Sequence, residues 1–131
     1  MGTVPSSSFK VKIVKKNGFM HIGLAPHEGI KLEGGNHRTR GWHLGCKLGS
    51  IYSQQGEKGK NYVNKWGLIK EGSVIEVVLA EAVVGGTKVR KISFVIDGKD
   101  YGVAFDNIPS EVGDLYPCVH LYDKGDSVEI I

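Results

Sequence analysis

The sequence has little of what marks secreted and membrane proteins. Its only two cysteines are Cys46 and Cys118, which predicts free, buried thiols in a reducing compartment rather than a disulfide framework. No apolar run reaches the roughly 18 residues that a membrane-spanning helix needs, and no secretory signal segment is recognisable. We therefore expect a cytoplasmic protein that is not an integral membrane protein.

The charge of the sequence is nearly balanced and is spread along the chain. Its 17 basic and 14 acidic residues give a net charge of +3, without the concentrated basic face and aromatic set of a nucleic-acid-binding domain. The densest basic group lies at 10–16, where lysines alternate with the apolar residues Val11 and Ile13. This alternation is typical of the solvated face of one β-strand, so we expect no nucleic-acid partner.

Helical periodicity and internal repeats are also missing, whereas glycine is abundant. The chain has 19 glycines, roughly twice the usual share of about 7%, and they separate short apolar runs. Asn17-Gly18, Gly85-Gly86 and Asp97-Gly98 are typical of the tight turns that join antiparallel strands. This pattern indicates roughly nine or ten short strands at spacings of about 8–12 residues. The sequence therefore predicts an all-β fold, an antiparallel sandwich or barrel.

The length of 131 residues fits one domain preceded by a short tail. Residues 1–8 are predicted to be flexible, because Pro5 and the serines after it offer nothing that can pack. Gly2 matches a myristoylation pattern, although an ordinary N-terminus is the simpler interpretation. The domain is therefore expected to cover residues 9–131, with its first strand starting at Phe9.

Three segments follow one another in an order shared with a known domain family. Residues 21–25 read HIGLA after an apolar strand, and residues 41–45 read GWHLG before KEGSVIEV at 70–77. The most specific segment reads KISFVIDGKDYGVAF at 91–105 and precedes LYPCV at 115–119. Together these segments resemble the SPRY (B30.2-like) family over residues 9–131, in its short form without a PRY segment.

The resemblance implies both a fold and a way of working. SPRY domains are distorted, jelly-roll-like two-sheet β-sandwiches, and loops at one end of the sandwich bind a short peptide or a protein epitope. The resemblance implies a non-enzymatic adaptor or substrate-recognition domain that binds a protein or peptide ligand. We also expect a monomer that needs no cofactor, because the sequence contains no signal for an oligomer or for a cofactor. The implied partner-binding residues lie before Gly41 and in the last hairpin: Pro26, His27, Glu28, Asn36, His37, Arg38, Arg40, Tyr122, Asp123 and Lys124.

The sequence departs from the family pattern at a few positions. The aromatic residue that clasps peptides in the SOCS-box members would fall near Gly29, so their particular peptide specificity is not expected here. Ser73 stands where the family often has Asp, and Ala80-Glu81 stands where it often has Leu-Asp. The last two differences fall in scaffold turns or strands, so they do not change the predicted fold.

Thiol and imidazole side chains offer other chemistries, which the spacing does not support. His37, His43 and Cys46 are loosely spaced and lack the paired spacing of a zinc motif, so we predict no metal site. Cys118 and His120 lie two residues apart and therefore share one face of a strand. A nucleophilic pair also needs a group that orients the base, and none is visible, so we predict no catalytic residues.

A carbohydrate-binding jelly-roll domain is the alternative function. A lectin site needs only a shallow polar surface with one aromatic ring, and Trp42 or Trp66 could supply that ring. Tryptophan in a strand is usually buried, however. The paired carboxylates that a sandwich glycosidase requires are not recognisable in the sequence.

Overall fold

A computed structural model describes residues 6–17, 19–26, 41–63, 65, 67–109, 112–121 and 124–131. These residues form two five-stranded antiparallel sheets, ordered β10-β1-β6-β7-β8 (the first sheet) and β5-β4-β3-β2-β9 (the second sheet). The predicted antiparallel β-sandwich is confirmed. The strands are β1 (Ser6–Lys15), β2 (Met20–Pro26), β3 (Trp42–Gly45), β4 (Ser50–Ser53), β5 (Lys58–Lys60), β6 (Val74–Val84), β7 (Thr87–Ile96), β8 (Lys99–Ile108), β9 (Leu115–Leu121) and β10 (Ser127–Ile130).

Alternation along the strands separates a buried face from a solvated face. In β1, Val11 and Ile13 are fully buried, whereas Lys10 and Lys12 are exposed, because successive side chains of a strand point to opposite faces. Lys10 and Lys12 therefore lie on the solvated face of one strand, as the sequence predicted, whereas the register shifts before Lys15 and Lys16 lies beyond the end of β1. No helix in the described part of the chain is long and apolar enough to cross a membrane.

Glycine-containing turns join the long strands of the first sheet. Gly85 and Gly86 have φ angles of 56° and 80°, and Asp97 and Gly98 have φ angles of 51° and 85°. Two consecutive positive φ angles are the requirement of a type I′ hairpin turn, so these two predicted hairpins are confirmed. The prediction for Asn17-Gly18 is wrong in this respect, because β1 lies in the first sheet and β2 in the second, so the two strands do not pair. The Asp97 carboxylate also accepts hydrogen bonds from the Val74 backbone N–H at 2.9 Å and from the Ser73 hydroxyl at 3.1 Å.

The hydrophobic core lies between the two sheets. Both sheets contribute inward-facing side chains to one cluster, and its largest member, Trp42, has no exposed surface. The first sheet contributes Val11, Ile13, Ile75, Val77, Ile92, Phe94 and Ile96, and the second contributes Met20, Ile22, Leu24, Trp42, Leu44 and Ile51.

The first strand starts earlier than the predicted domain boundary at Phe9. Ser6, Ser7 and Ser8 pair with the segment 78–80 of β6. A ladder of backbone hydrogen bonds requires no apolar side chain, and composition alone therefore placed these serines in the tail. The described part of the tail is strand, and residues 1–5 lie outside the described residues.

The edge strands are irregular. The pairing of β8 with β7 shifts register at three places between Arg90 and Val95, and β9 contains Pro117 at an outer edge of the second sheet. The connection from β8 to β9 is held by Arg90, whose buried guanidinium donates to the Pro109 carbonyl at 2.9 Å and the Gly113 carbonyl at 2.7 Å.

Candidate functional site

The structure describes only two of the predicted partner-binding residues. Pro26 is the buried last residue of β2, and Lys124 is exposed in the turn before β10. The other predicted residues lie outside the described residues: His27, Glu28, Asn36, His37, Arg38, Arg40, Tyr122 and Asp123.

The two predicted loops begin at opposite ends of the second sheet. Pro26 pairs with Leu115 at one end of the β2–β9 ladder, and Met20 pairs with Leu121 at the other. These pairs are six residues apart along β2, which corresponds to about 20 Å at 3.3 Å per residue. A ligand surface that included both loops would therefore have to extend along the sheet.

The chain that leaves the second sheet at Pro26 rejoins it at Gly41, where hydrogen bonds to Gln54 hold the backbone. Gly41 has a φ of 84°, its N–H donates to Gln54 Oε1 at 2.8 Å, and its carbonyl accepts from the Gln54 N–H at 2.9 Å. The next residue, Trp42, inserts its ring into the core and donates Nε1–H to Gln55 Oε1 at 2.8 Å. The end of the predicted binding loop is thus fixed to the core.

The other end of the second sheet joins two turns and exposes apolar side chains. The Asn17 N–H donates to Asp126 Oδ1 at 2.6 Å, which ties the β1–β2 turn to the β9–β10 turn. Phe19 is 50% exposed and Leu121 is 43% exposed. The Lys47 ammonium lies 4.4 Å from the centre of the Phe19 ring, a cation–π arrangement.

A layer of histidines lies on the outer face of the second sheet, the face turned away from the core. His21 stacks on Tyr52 with ring centroids 4.6 Å apart, and the rings of His43 and His120 meet edge to face at 4.9 Å. Cys118 belongs to the same layer, since its Sγ lies 3.3 Å from His120 Nε2. All of these side chains except Tyr52 are buried.

Spacing along the sequence does not predict which of these residues lie together in the structure. It groups His43 with Cys46, but Cys46 lies in the core on the opposite side of β3 from His43 and has no exposed surface. It leaves Cys118 and His120 as a separate pair, and their shared face is confirmed. The register of β3 and β9 against β2 brings His43 and Cys118 together, because both residues pair with Gly23, from opposite sides of β2.

Both thiols are free and buried, as predicted. Burial raises the pKa of Cys46 to about 12 and the pKa of Cys118 to about 11. A nucleophilic cysteine requires the opposite change, a lowered pKa that gives thiolate at neutral pH. The raised pKa of Cys118 therefore does not favour its use as a nucleophile, although its Sγ lies close to His120.

Comparison with known proteins tests the architecture directly. No protein-family model matches the chain, and no curated protein matches it. Among solved structures, a human SPRY domain matches with a TM-score of 0.65 over 94% of this chain and 74% of its own, at 21% identity. The chain has a SPRY-like fold. The SPRY fold that the three sequence segments predicted is thus confirmed.

Proposed function

We propose that this SPRY-like domain is a non-enzymatic protein-interaction module that binds a short peptide or protein epitope as an adaptor or substrate-recognition domain in the cytoplasm. The observation that carries the proposal is the similarity of its fold to a SPRY domain. Fold alone does not fix function, so the proposal depends on particular surfaces of this chain. Substitutions in those surfaces therefore test the proposal.

The sequence at the 36–40 end of the segment between Pro26 and Gly41 favours an acidic ligand, because the two acidic residues of the segment, Glu28 and Glu33, precede it. Asn36, Arg38 and Arg40 supply hydrogen-bond donors and positive charge, and arginine binds carboxylates in a bidentate manner. A partner that carries Asp or Glu beside an apolar anchor would complement this composition. The loop begins and ends on buried residues, Pro26 and Gly41, so its two bases are attached to a rigid support.

The far end of the second sheet offers a second contact region. Phe19 and Leu121 provide exposed apolar surface there, and Lys47 and Lys124 provide positive charge nearby. Interfaces combine a few apolar anchors with a polar rim, and this region has both. A long epitope could engage the two ends together, whereas a short peptide would use one of them.

A binding experiment with matched variants tests the proposal. The Asn36→Ala/Arg38→Ala/Arg40→Ala variant and a control variant, Lys10→Ala/Lys12→Ala/Thr87→Ala, are compared with the wild-type chain in affinity capture from lysate of the source organism. The control removes one polar and two cationic side chains that are exposed on the first sheet. We expect specific proteins to be lost with the first variant only. Peptide arrays made from those proteins should then identify an acidic epitope.

The same experiment distinguishes the carbohydrate-binding alternative. Trp42 is fully buried, so its ring cannot stack on a sugar, and the second candidate, Trp66, lies outside the described residues. Equal recovery of all proteins by both variants would refute the assigned loop. Enrichment of glycoproteins that free sugar releases would instead support a lectin.

A further inference from the structure

Three metal-ligating side chains meet on the outer face of the second sheet. His43 has no exposed surface, Cys118 is 7% exposed and His120 is 9% exposed. Their ligand atoms all lie within 4.8 Å of one another. The described residues include both cysteines and three of the five histidines of the chain, and three of these five side chains converge at this one place.

The strand register explains how the three side chains reach each other. His43 on β3 and Cys118 on β9 both pair with Gly23 on β2, which lies between them. Gly23 has no side chain to separate them, and a Cβ atom there would lie 2.7 Å from the His43 Cα and closer still to the Trp42 carbonyl oxygen. His120 follows Cys118 by two residues and so points to the same face.

The spacing of the ligand atoms suits a small ion. Three atoms within 4.8 Å of one another leave a central point at most about 2.8 Å from each, and zinc binds sulfur at about 2.3 Å and nitrogen at about 2.0–2.1 Å. The ligand atoms therefore need to move by less than about 1 Å, which small side-chain rotations provide. Cys118 Sγ and His120 Nε2 are already 3.3 Å apart, close to the edge of a tetrahedral zinc site.

The donor set selects the class of metal. A thiolate with two imidazoles suits zinc and neighbouring transition metals and does not suit calcium or magnesium, which prefer oxygen. We propose that His43, Cys118 and His120 bind a zinc ion, with a fourth position left for water or another donor. On binding, the Cys118 S–H bond breaks, its proton leaves to solvent and a sulfur–zinc bond forms, with no change of oxidation state.

Packing alone is the competing explanation for the cluster. His43 and His120 make an aromatic contact, and His21 stacks on Tyr52 beside them, so the histidines would pack without any metal. The two explanations differ in stoichiometry and ligands. A packed layer binds no metal at a defined ratio, whereas a site binds one ion per chain through sulfur.

Cobalt titration of the full chain without a histidine tag tests the proposal. Chelator-treated protein is titrated with CoCl2 and then with ZnCl2. We expect one cobalt ion per chain, a sulfur-to-cobalt charge-transfer band and its loss on zinc addition. Cys118→Ser should remove the band and weaken zinc binding by about a hundredfold or more, since even outer-sphere substitutions cost 10–100-fold. Cys46→Ala removes the other thiol and should keep the band.

X-ray absorption of the zinc-loaded wild-type chain needs no variant and therefore does not depend on whether Cys118→Ser folds. We expect one sulfur ligand at about 2.3 Å and imidazole nitrogens at about 2.0–2.1 Å. A shell without sulfur, less than half an equivalent of cobalt bound, or undiminished zinc affinity in folded Cys118→Ser would each overturn the proposal.

Discussion

Replacement of Trp42 by alanine should destabilise the domain severely. The Trp42 ring is fully buried between the two sheets, and deletion of such a side chain costs about 3–5 kcal/mol through lost burial and a residual cavity. The lost hydrogen bond to Gln55 adds little, because Gln55 is exposed and its oxygen can bond to water. Small domains have only about 5–15 kcal/mol of stability, so a large fraction would be lost.

Urea denaturation followed by circular dichroism measures this loss, with the free energy of unfolding compared at an unchanged denaturant slope. Trp42→Phe should lose clearly less, because an aromatic ring still fills most of the space. Phe19→Ala is the matched surface control, since half of that side chain is already exposed. A loss below about 1 kcal/mol for Trp42→Ala, at an unchanged slope, would refute the assignment of Trp42 to the core. It would instead favour the alternative in which the Trp42 ring stacks on a sugar.

Two further predictions concern buried polar groups. Arg90→Ala should lower the free energy of unfolding by about 1–3 kcal/mol, because the Pro109 and Gly113 carbonyls lose their donors; a loss near zero in urea denaturation would contradict this. The stability should also fall as the pH rises from about 9 towards 12. Burial raises the pKa of Cys46 to about 12 and that of Cys118 to about 11 from 9.0, so unfolded chains release these thiol protons first. Denaturation at a series of pH values measures the decline, which Cys46→Ala should reduce and which a flat profile would exclude.

Local sequence patterns predicted most of the fold. The alternation of Val11 and Ile13 with lysines indicates which face of β1 is buried, and Asp97-Gly98 specifies a turn through the φ angles that it tolerates. Each of these signals is contained within a few consecutive residues, so it can be recognised without knowledge of the fold. By contrast, β5 has no such pattern, since its Lys58–Lys60 segment contains no apolar side chain and forms a strand through its pairing with β4.

The candidate metal cluster could not be predicted from the sequence in the same way. His43 and Cys118 meet only because their strands flank β2 in a particular register, and register between distant segments leaves no local signature. The sequence did show that Cys118 and His120 share a face. Adding His43 to this pair required the order of β3, β2 and β9 in the sheet.

The irregular edge strands have a consequence for solubility. A long, straight edge strand presents unpaired backbone groups that can recruit another chain and start aggregation. The broken register of β8 and the proline of β9 interrupt that template on one edge of each sheet, as bulges and proline do in many β proteins. A variant that straightened β8 or replaced Pro117 with valine would have the same core and a greater tendency to self-associate.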